Sequence, residues 1–345
     1  MKVAIIGRIA NDIKLYDGQT VKTRGIYGVV KDIVPQENVY IIDTYQYSRH
    51  FFSVLFKTIY CIWKCDCIFI SVSLKGRKVF FPLLYYLNKI CKKNIYHFLI
   101  GGRLANNIQK YPRMKKYVCS FKCNYVESKY IVSDLHKIGV KNVEYMPNFK
   151  NIDILNEGEL ISTNFEPYKF CTFSRVEEKK GIEDAIYAIK SINARFGRKI
   201  ATIDIYGAIA APYESQFNDI LRKNKEFVCY RGCVDPELSV STVKNYFMLL
   251  FPTKYYNEGI PGTIIDAFCA GVPVIASRWH YCDEMLTDGI EGIVYEFDDR
   301  IGLEKSIEYA IDNRDKVEKM KINCIKRANY FSVEMVRPFF EKILC

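Results

Sequence analysis

Two carboxylates, Glu258 and Asp266, stand eight residues apart in Asn257-Glu-Gly-Ile-Pro-Gly-Thr-Ile-Ile-Asp266. Gly259, Pro261 and Gly262 keep Glu258 in a loop, and the apolar spacing that follows predicts a helix from Gly262 to Gly271. The first amides of such a helix have no partner within it and lie at its positive end, so they form a seat for a phosphate. Glu258 in the loop and Asp266 about one turn into the helix can face different parts of one elongated ligand. Accepting hydrogen bonds from sugar hydroxyls is the simplest use for each.

A second segment, Phe173-Ser-Arg-Val-Glu-Glu-Lys-Lys-Gly181, places Arg175 after a strand pattern and Lys180 just before a glycine that opens a helix. Two cations on one strand-to-helix loop can clamp a diphosphate, Arg175 by its fork and Lys180 as a point charge. Glu177, Glu178 and Lys179 between them suit a solvated charged loop equally well. Taken with the Glu258 segment, the balance moves to the clamp.

These residues need a scaffold, and the chain supplies alternating short apolar runs and longer helical patterns, the mark of parallel βαβ units. In the first half, strands are expected at 3–7, 39–42, 67–72, 95–101, 125–126 and 143–146, with helices near 20–33, 47–64, 76–92, 104–116 and 128–138. A polar stretch runs to about residue 167. The pattern then restarts, with strands at 169–174, 200–206, 228–231, 247–252 and 274–276 and helices near 181–195, 213–224, 239–245 and 262–271. In open α/β sheets ligands bind beyond the carboxyl ends of the strands, so two such halves facing each other make a cleft lined by both segments.

At these residues the sequence resembles the retaining GT-B glycosyltransferases of family 4. Ser174-Arg-Val-Glu-Glu-Lys-Lys-Gly181 is similar to the family's Arg-x4-Lys-Gly loop, Ile205-Tyr-Gly207 to the strand end that follows it, and Arg231-Gly232 to the strand end beside the donor base. Glu258-x7-Asp266 matches its Glu-x7-Glu signature, and Ala270-Gly-Val-Pro-Val274 follows as it does there. Glu127-Ser-Lys-Tyr130 and Pro147-Asn148 resemble the end of its acceptor domain. The motifs cover residues 125–298, and the first 120 residues agree mainly in architecture.

The resemblance implies an α/β chain of GT-B fold. Residues 1–148 would form a Rossmann-like acceptor and membrane-facing domain, 149–330 a Rossmann-like donor domain, and 331–345 a helix crossing back to the first. It implies transfer of a sugar from a nucleotide diphosphate, UDP- or GDP-linked, with retention at the anomeric carbon, onto a glycan or lipid-linked acceptor. Arg175 and Lys180 would neutralise the leaving diphosphate with the amides of Gly259, Ile260 and Gly262. Glu258 would hold donor hexose hydroxyls and Asp266 the ribose, and Arg231 would lie beside the base. Gly18 and Lys22, in a loop after the first strand, would approach the donor phosphate. Asp266 departs from the family pattern by one methylene. So does the fourth strand end, where Ile100 precedes Gly101-Gly102 and His97 lies inside the run, reading as a core or rim histidine. No Asp-x-Asp occurs in the chain, so no metal and no cofactor are expected. Nor is a base evident. Either a carboxylate, with Glu258 as the candidate, attacks the anomeric carbon to form a covalent intermediate, or the acceptor enters from the leaving-group side and the departing phosphate takes its proton, which is the family's usual account. The same fold also hosts nucleotide-sugar 2-epimerases, and a nucleotide-sugar-binding protein without turnover is a third reading.

Composition narrows the partners. The 345 residues are 49% apolar and 26% charged, with no uncharged run approaching the ~18 residues of a membrane span. The first residues, Met1 to Arg8, read as a buried strand rather than an export signal. Thirteen scattered cysteines without a Cys-x-x-Cys read as reduced thiols in a cytoplasmic protein. The net charge of +11 is uneven: residues 1–150 carry 25 Lys+Arg against 9 Asp+Glu, and residues 151–345 carry 25 against 30. Basic residues interleave with rings at 49–64, 75–81 and 110–117. That pattern suits an anionic membrane surface, or else a solvated basic face with its aromatics in the core. No nucleic-acid module accompanies it. The expectation is a cytoplasmic enzyme of surface polysaccharide or glycolipid synthesis, peripheral on the inner face of the cell membrane.

Overall fold

The computed structural model describes residues 1–10, 13, 15 and 17–345. The chain divides into two compact units, one of residues 1–151 with 331–345 and one of residues 152–330. Each holds a six-stranded, wholly parallel sheet.

In the first unit the strands are β1 (Val3–Gly7), β2 (Val39–Asp43), β3 (Cys67–Ser71), β4 (Asn94–Phe98), β5 (Cys123–Val126) and β6 (Val143–Tyr145), in spatial order β2-β1-β3-β4-β5-β6. The Val, Ile and Phe runs of the central strands β1 and β3 are buried on both faces, as in covered parallel sheets, while the edge strands β2 and β6 are partly exposed. Between them lie α1 (Gly18–Ile33), α2 (Phe51–Lys64), α3 (Leu74–Cys91), α4 (Leu104–Lys110), α5 (Arg113–Cys119) and α6 (Lys129–Lys137). The single helix expected at 104–116 is two, because Pro112 cannot continue the first and instead caps the second. The expected loop at 17–22 is also corrected: Asp17 accepts from the amides of Gln19 and Thr20 and caps α1, so Gly18 to Lys22 are its first turn.

The second unit is built from β7 (Tyr168–Phe173), α7 (Ile182–Arg195), β8 (Ala201–Tyr206), α8 (Glu214–Lys223), β9 (Val228–Gly232), α9 (Ser239–Val243), β10 (Met248–Phe251), α10 (Gly262–Cys269), β11 (Val274–Ser277), α11 (Cys282–Met285), β12 (Gly292–Tyr295), α12 (Arg300–Asp312) and α13 (Arg314–Ala328). Strand order is β12-β11-β10-β7-β8-β9, so the direction of winding reverses between β7 and β10. Elements α11, β12, α12 and α13 lie between the last strand expected from the sequence, at 274–276, and the terminal helix, and were not expected there. The last two form a mostly polar pair whose buried residues, Leu303, Ile307, Val317 and Met320 among them, are spaced for a helix.

The terminal helix α14 (Val333–Leu344) completes the core of the first unit. Phe340 stacks on Phe98 with ring centroids 5.4 Å apart and packs near Phe69 and Phe149.

Candidate donor site in the second unit

A ligand site in an open parallel sheet forms where the winding reverses, because the loops leaving the two central strands diverge there. In this unit those strands are β7 and β10, paired through Met248 with Phe170 and Leu249 with Cys171. The loop after β7 carries Arg175 and Lys180; the loop after β10 carries Glu258 and leads into α10. Both segments singled out from the sequence therefore converge on one point.

Glycines set the spacing. Gly181 has φ +65°, and a Cβ there would lie 1.8 Å from the carbonyl oxygen of Pro252. Gly207, at φ +128°, would place one 1.9 Å from the carbonyl of Ser174. The loop after β7 is thus pressed between the ends of β10 and β8. The Lys254 amide donates to the Lys179 carbonyl at 2.9 Å. The Lys254 ammonium also reaches Asp184 of α7 at 2.6 Å, and Arg300 meets the same buried carboxylate at 2.6 Å. These ties hold the two loops at a fixed separation.

Within that frame Lys180 Nζ lies 2.5 Å from Glu258 Oε2, both side chains mostly buried. The Thr253 hydroxyl approaches the same carboxylate oxygen at 3.4 Å. The backbone after Glu258 is fixed by Trp279, whose Nε1 donates to the Gly259 carbonyl at 3.2 Å and whose ring packs against Phe251. Trp279 is 1% exposed and was missed at the sequence level. A tryptophan directly after a strand, one of two in the chain, was the available signal.

Helix α10 begins at Gly262 after Pro261, with no side-chain cap and no acid in its first turn, so its positive end is not neutralised by its own residues. The Thr263 hydroxyl on that turn is buried without a hydrogen-bond partner among the described residues. Gly259 and Ile260 are buried in the approach to the helix. Asp266 lies one turn further in and is 3% exposed. Arg175 is exposed on the loop after β7.

The remaining predicted residues are carried by other elements. Arg231 sits on β9, two strands from β7, and donates from Nε to Asp204 of β8 at 3.0 Å. Tyr246 donates to the same carboxylate at 2.7 Å, and burial with the neighbouring Tyr206 hydroxyl pushes its phenol well up, so it remains a donor. Gly18 and Lys22 belong to the first unit. A Cβ at Gly18 would meet nothing among the described residues within 4 Å. Lys22 is 5% exposed, with Nζ 2.7 Å from Glu127 and 3.3 Å from Asn148. Its ammonium is thus paired within the first unit, as that of Lys180 is with Glu258 in the second.

His97 is fully buried on β4, with Nδ1 3.1 Å from Asn124 Oδ1, which makes Nδ1 the protonated nitrogen. Burial, with the nearby Arg77 cation, pushes its pKa down to about 3 against the Asn124 hydrogen bond. It is a neutral core histidine. Among the described residues no group of three or more His, Cys, Asp or Glu is placed to hold a metal ion.

Residues 161–327 match the family model described as glycosyl transferases group 1. Over that segment the chain is similar to the group 1 glycosyl transferases. The matched span contains Arg175, Lys180, Glu258, Asp266 and the start of α10. The chain is also similar to an uncharacterized glycosyltransferase of Methanocaldococcus jannaschii, 24% identical over 168 residues, or 48% of this chain and 42% of that one, so the match spans less than half of that relative's length. Over the whole chain, the structure is similar to Anabaena HepE in complex with UDP-glucose, with TM-score 0.76, 13% identity, and 100% and 99% of the two chains covered. It is likewise similar to sucrose-phosphate synthase from Thermosynechococcus elongatus, with TM-score 0.77, 15% identity, and 99% and 98% covered. At such identities the likeness concerns the fold, and that fold is GT-B, with two Rossmann-like units.

Proposed function

We propose that the protein is a glycosyltransferase that takes a nucleotide diphosphate sugar in the second unit and transfers the sugar with retention. The observation that carries the reading is the Lys180–Glu258 contact beside the uncapped start of α10, at the point where the sheet reverses its winding. In this reading the donor diphosphate lies against the first amides of α10 and draws Lys180 and Arg175 to its oxygens. Glu258, released from Lys180, accepts from hexose hydroxyls, and Asp266 accepts from the ribose. Fixed cations and amides then stabilise the charge that grows on the leaving phosphate. The bond from the anomeric carbon to the diphosphate oxygen breaks as the acceptor oxygen bonds to that carbon from the same side. The departing phosphate takes the acceptor's proton. No separate base, metal or cofactor enters the scheme.

UDP is the first donor base to test, since HepE was solved with UDP-glucose, and GDP the second. The proposed acceptor is a glycan or lipid-linked glycan, taken by the first unit at the inner face of the cell membrane during surface polysaccharide or glycolipid synthesis. The basic excess of that unit supports a membrane-facing role. Among the described residues no helix is long and apolar enough to cross a membrane.

The deciding experiment is a thermal-shift screen of UDP, GDP, ADP and their sugar conjugates, with and without EDTA, on the wild type and Arg175→Ala. Selective stabilisation that survives EDTA and drops sharply in the variant is expected. No stabilisation by any nucleotide at millimolar concentration would sink the donor-site assignment.

A further inference from the structure

Helix α2 is apolar on two faces. Val54, Thr58, Cys61 and Ile62 face inward and are buried. On the other side Phe52, Phe56, Tyr60 and Trp63 recur at helical spacing and are 71%, 66%, 54% and 77% exposed. With Ile59 they form one stripe roughly 100° wide. A helix that packs one face on a soluble core ordinarily turns charges toward water. Here Lys57 and Lys64 lie together on one shoulder of the stripe instead, and the Lys64 ammonium sits 5.0 Å from the Tyr40 ring and 5.1 Å from Tyr60.

Two further observations bear on what covers this face. Between Thr44 and Val126, a span that includes α2, α3 and α5, there are 15 Lys+Arg and a single acid, Asp66. Beside the first turns of α2 an apolar cavity of about 230 Å³ is lined by Tyr47, Phe51, Val54, Leu55, Phe80 and Leu83. A second copy of the chain would bring two strongly basic surfaces together, at a Coulombic cost. Rings flanked by lysines on a surface of one sign fit a layer that is apolar below and anionic above.

We infer that α2 is an interfacial anchor, lying flat on an anionic phospholipid bilayer. Its rings rest at headgroup depth, and Lys57 and Lys64 pair with lipid phosphates. The inference rests on the membrane-facing reading of the first unit proposed above and names the surface that carries it.

Tryptophan supplies the readout, because Trp63 is exposed and Trp279 is 1% exposed in the core of the other unit. The full chain is titrated with vesicles of phosphatidylglycerol and phosphatidylcholine, and with phosphatidylcholine alone, following emission and co-sedimentation. Only the anionic vesicles are expected to shift Trp63 emission to the blue and to pellet the protein, with binding weakening at least tenfold between about 0.05 and 0.5 M salt. The Phe56→Ser/Trp63→Ser and Lys57→Glu/Lys64→Glu variants should each lose about tenfold or more in partitioning, while their thermal stabilisation by UDP stays at the wild-type value. Wild-type emission and sedimentation unchanged by anionic vesicles would overturn the anchor, and if UDP still stabilised the protein the donor reading would stand. A dimer in sedimentation velocity that disappears in Phe56→Ser/Trp63→Ser, without vesicle binding by the wild type, would assign the face to a second copy instead.

Discussion

Lys180 and Glu258 act on each other before any ligand does. Two mostly buried charges 2.5 Å apart offset each other's desolvation, so removing one leaves the other uncompensated. Lys180→Ala should lower turnover roughly 10²–10³-fold if the ammonium stabilises the leaving diphosphate, and should also lower stability by about 1 kcal/mol or more. The double variant Lys180→Ala/Glu258→Gln separates the two effects, since it should recover much of the stability and none of the activity. Denaturation midpoints and initial rates on the same four proteins read the cycle, and recovery of activity in the double variant would mean that the pair is purely structural. Glu258 and Lys180 were legible as chemistry from residue type and spacing. Their direct contact was not, because 78 residues separate them.

Elements impose a different constraint, that of backbone fit. The loop after β7 reaches its place only because Gly181 lets the chain turn at φ +65° with no side chain against Pro252. Gly181→Ala should cost more than about 2 kcal/mol, combining left-handed strain with a backbone collision, whereas Gly18→Ala, with nothing described within 4 Å, should be near neutral. Chemical denaturation of the two variants checks this, and an unchanged midpoint for Gly181→Ala would refute the account of the loop. Most strands were readable because buried parallel strands are runs of Val, Ile and Phe. The elements after residue 276 were harder, since β12 is four residues long and α12 and α13 are low in hydrophobicity. The three basic aromatic segments show what local pattern leaves open: Phe80 and Phe81 went into the core, while Phe52, Phe56 and Trp63 did not.

At the scale of the whole molecule, acid stability reflects groups that folding forces to be neutral. His97 is held near a pKa of about 3, first by burial and then by Arg77, whereas in the unfolded chain it titrates at its ordinary 6.5. Between those values the unfolded state binds the extra proton, so stability is full above pH 6.5 and falls as the pH drops toward 3, by up to about 1.4 kcal/mol per pH unit. Replacing the titrating group in His97→Gln should flatten the pH dependence of the urea midpoint between pH 6 and 4. An equally steep dependence in the variant would assign the acid sensitivity to other residues.

By itself the sequence determined the class of fold, the strand-to-helix loops and the residue types that could meet a phosphate and a sugar. Periodicity, glycine and charge act over a few residues and are written locally. Tertiary structure decided which of these meet: β10 lies beside β7, so residues 175–180 and 258–262 share one site. It also decided where charge is compensated, pairing Lys22 with Glu127 across 105 residues, and which rings of the basic segments were left outside the core. Those outcomes depend on strand order and on packing between distant segments, which a local pattern does not encode.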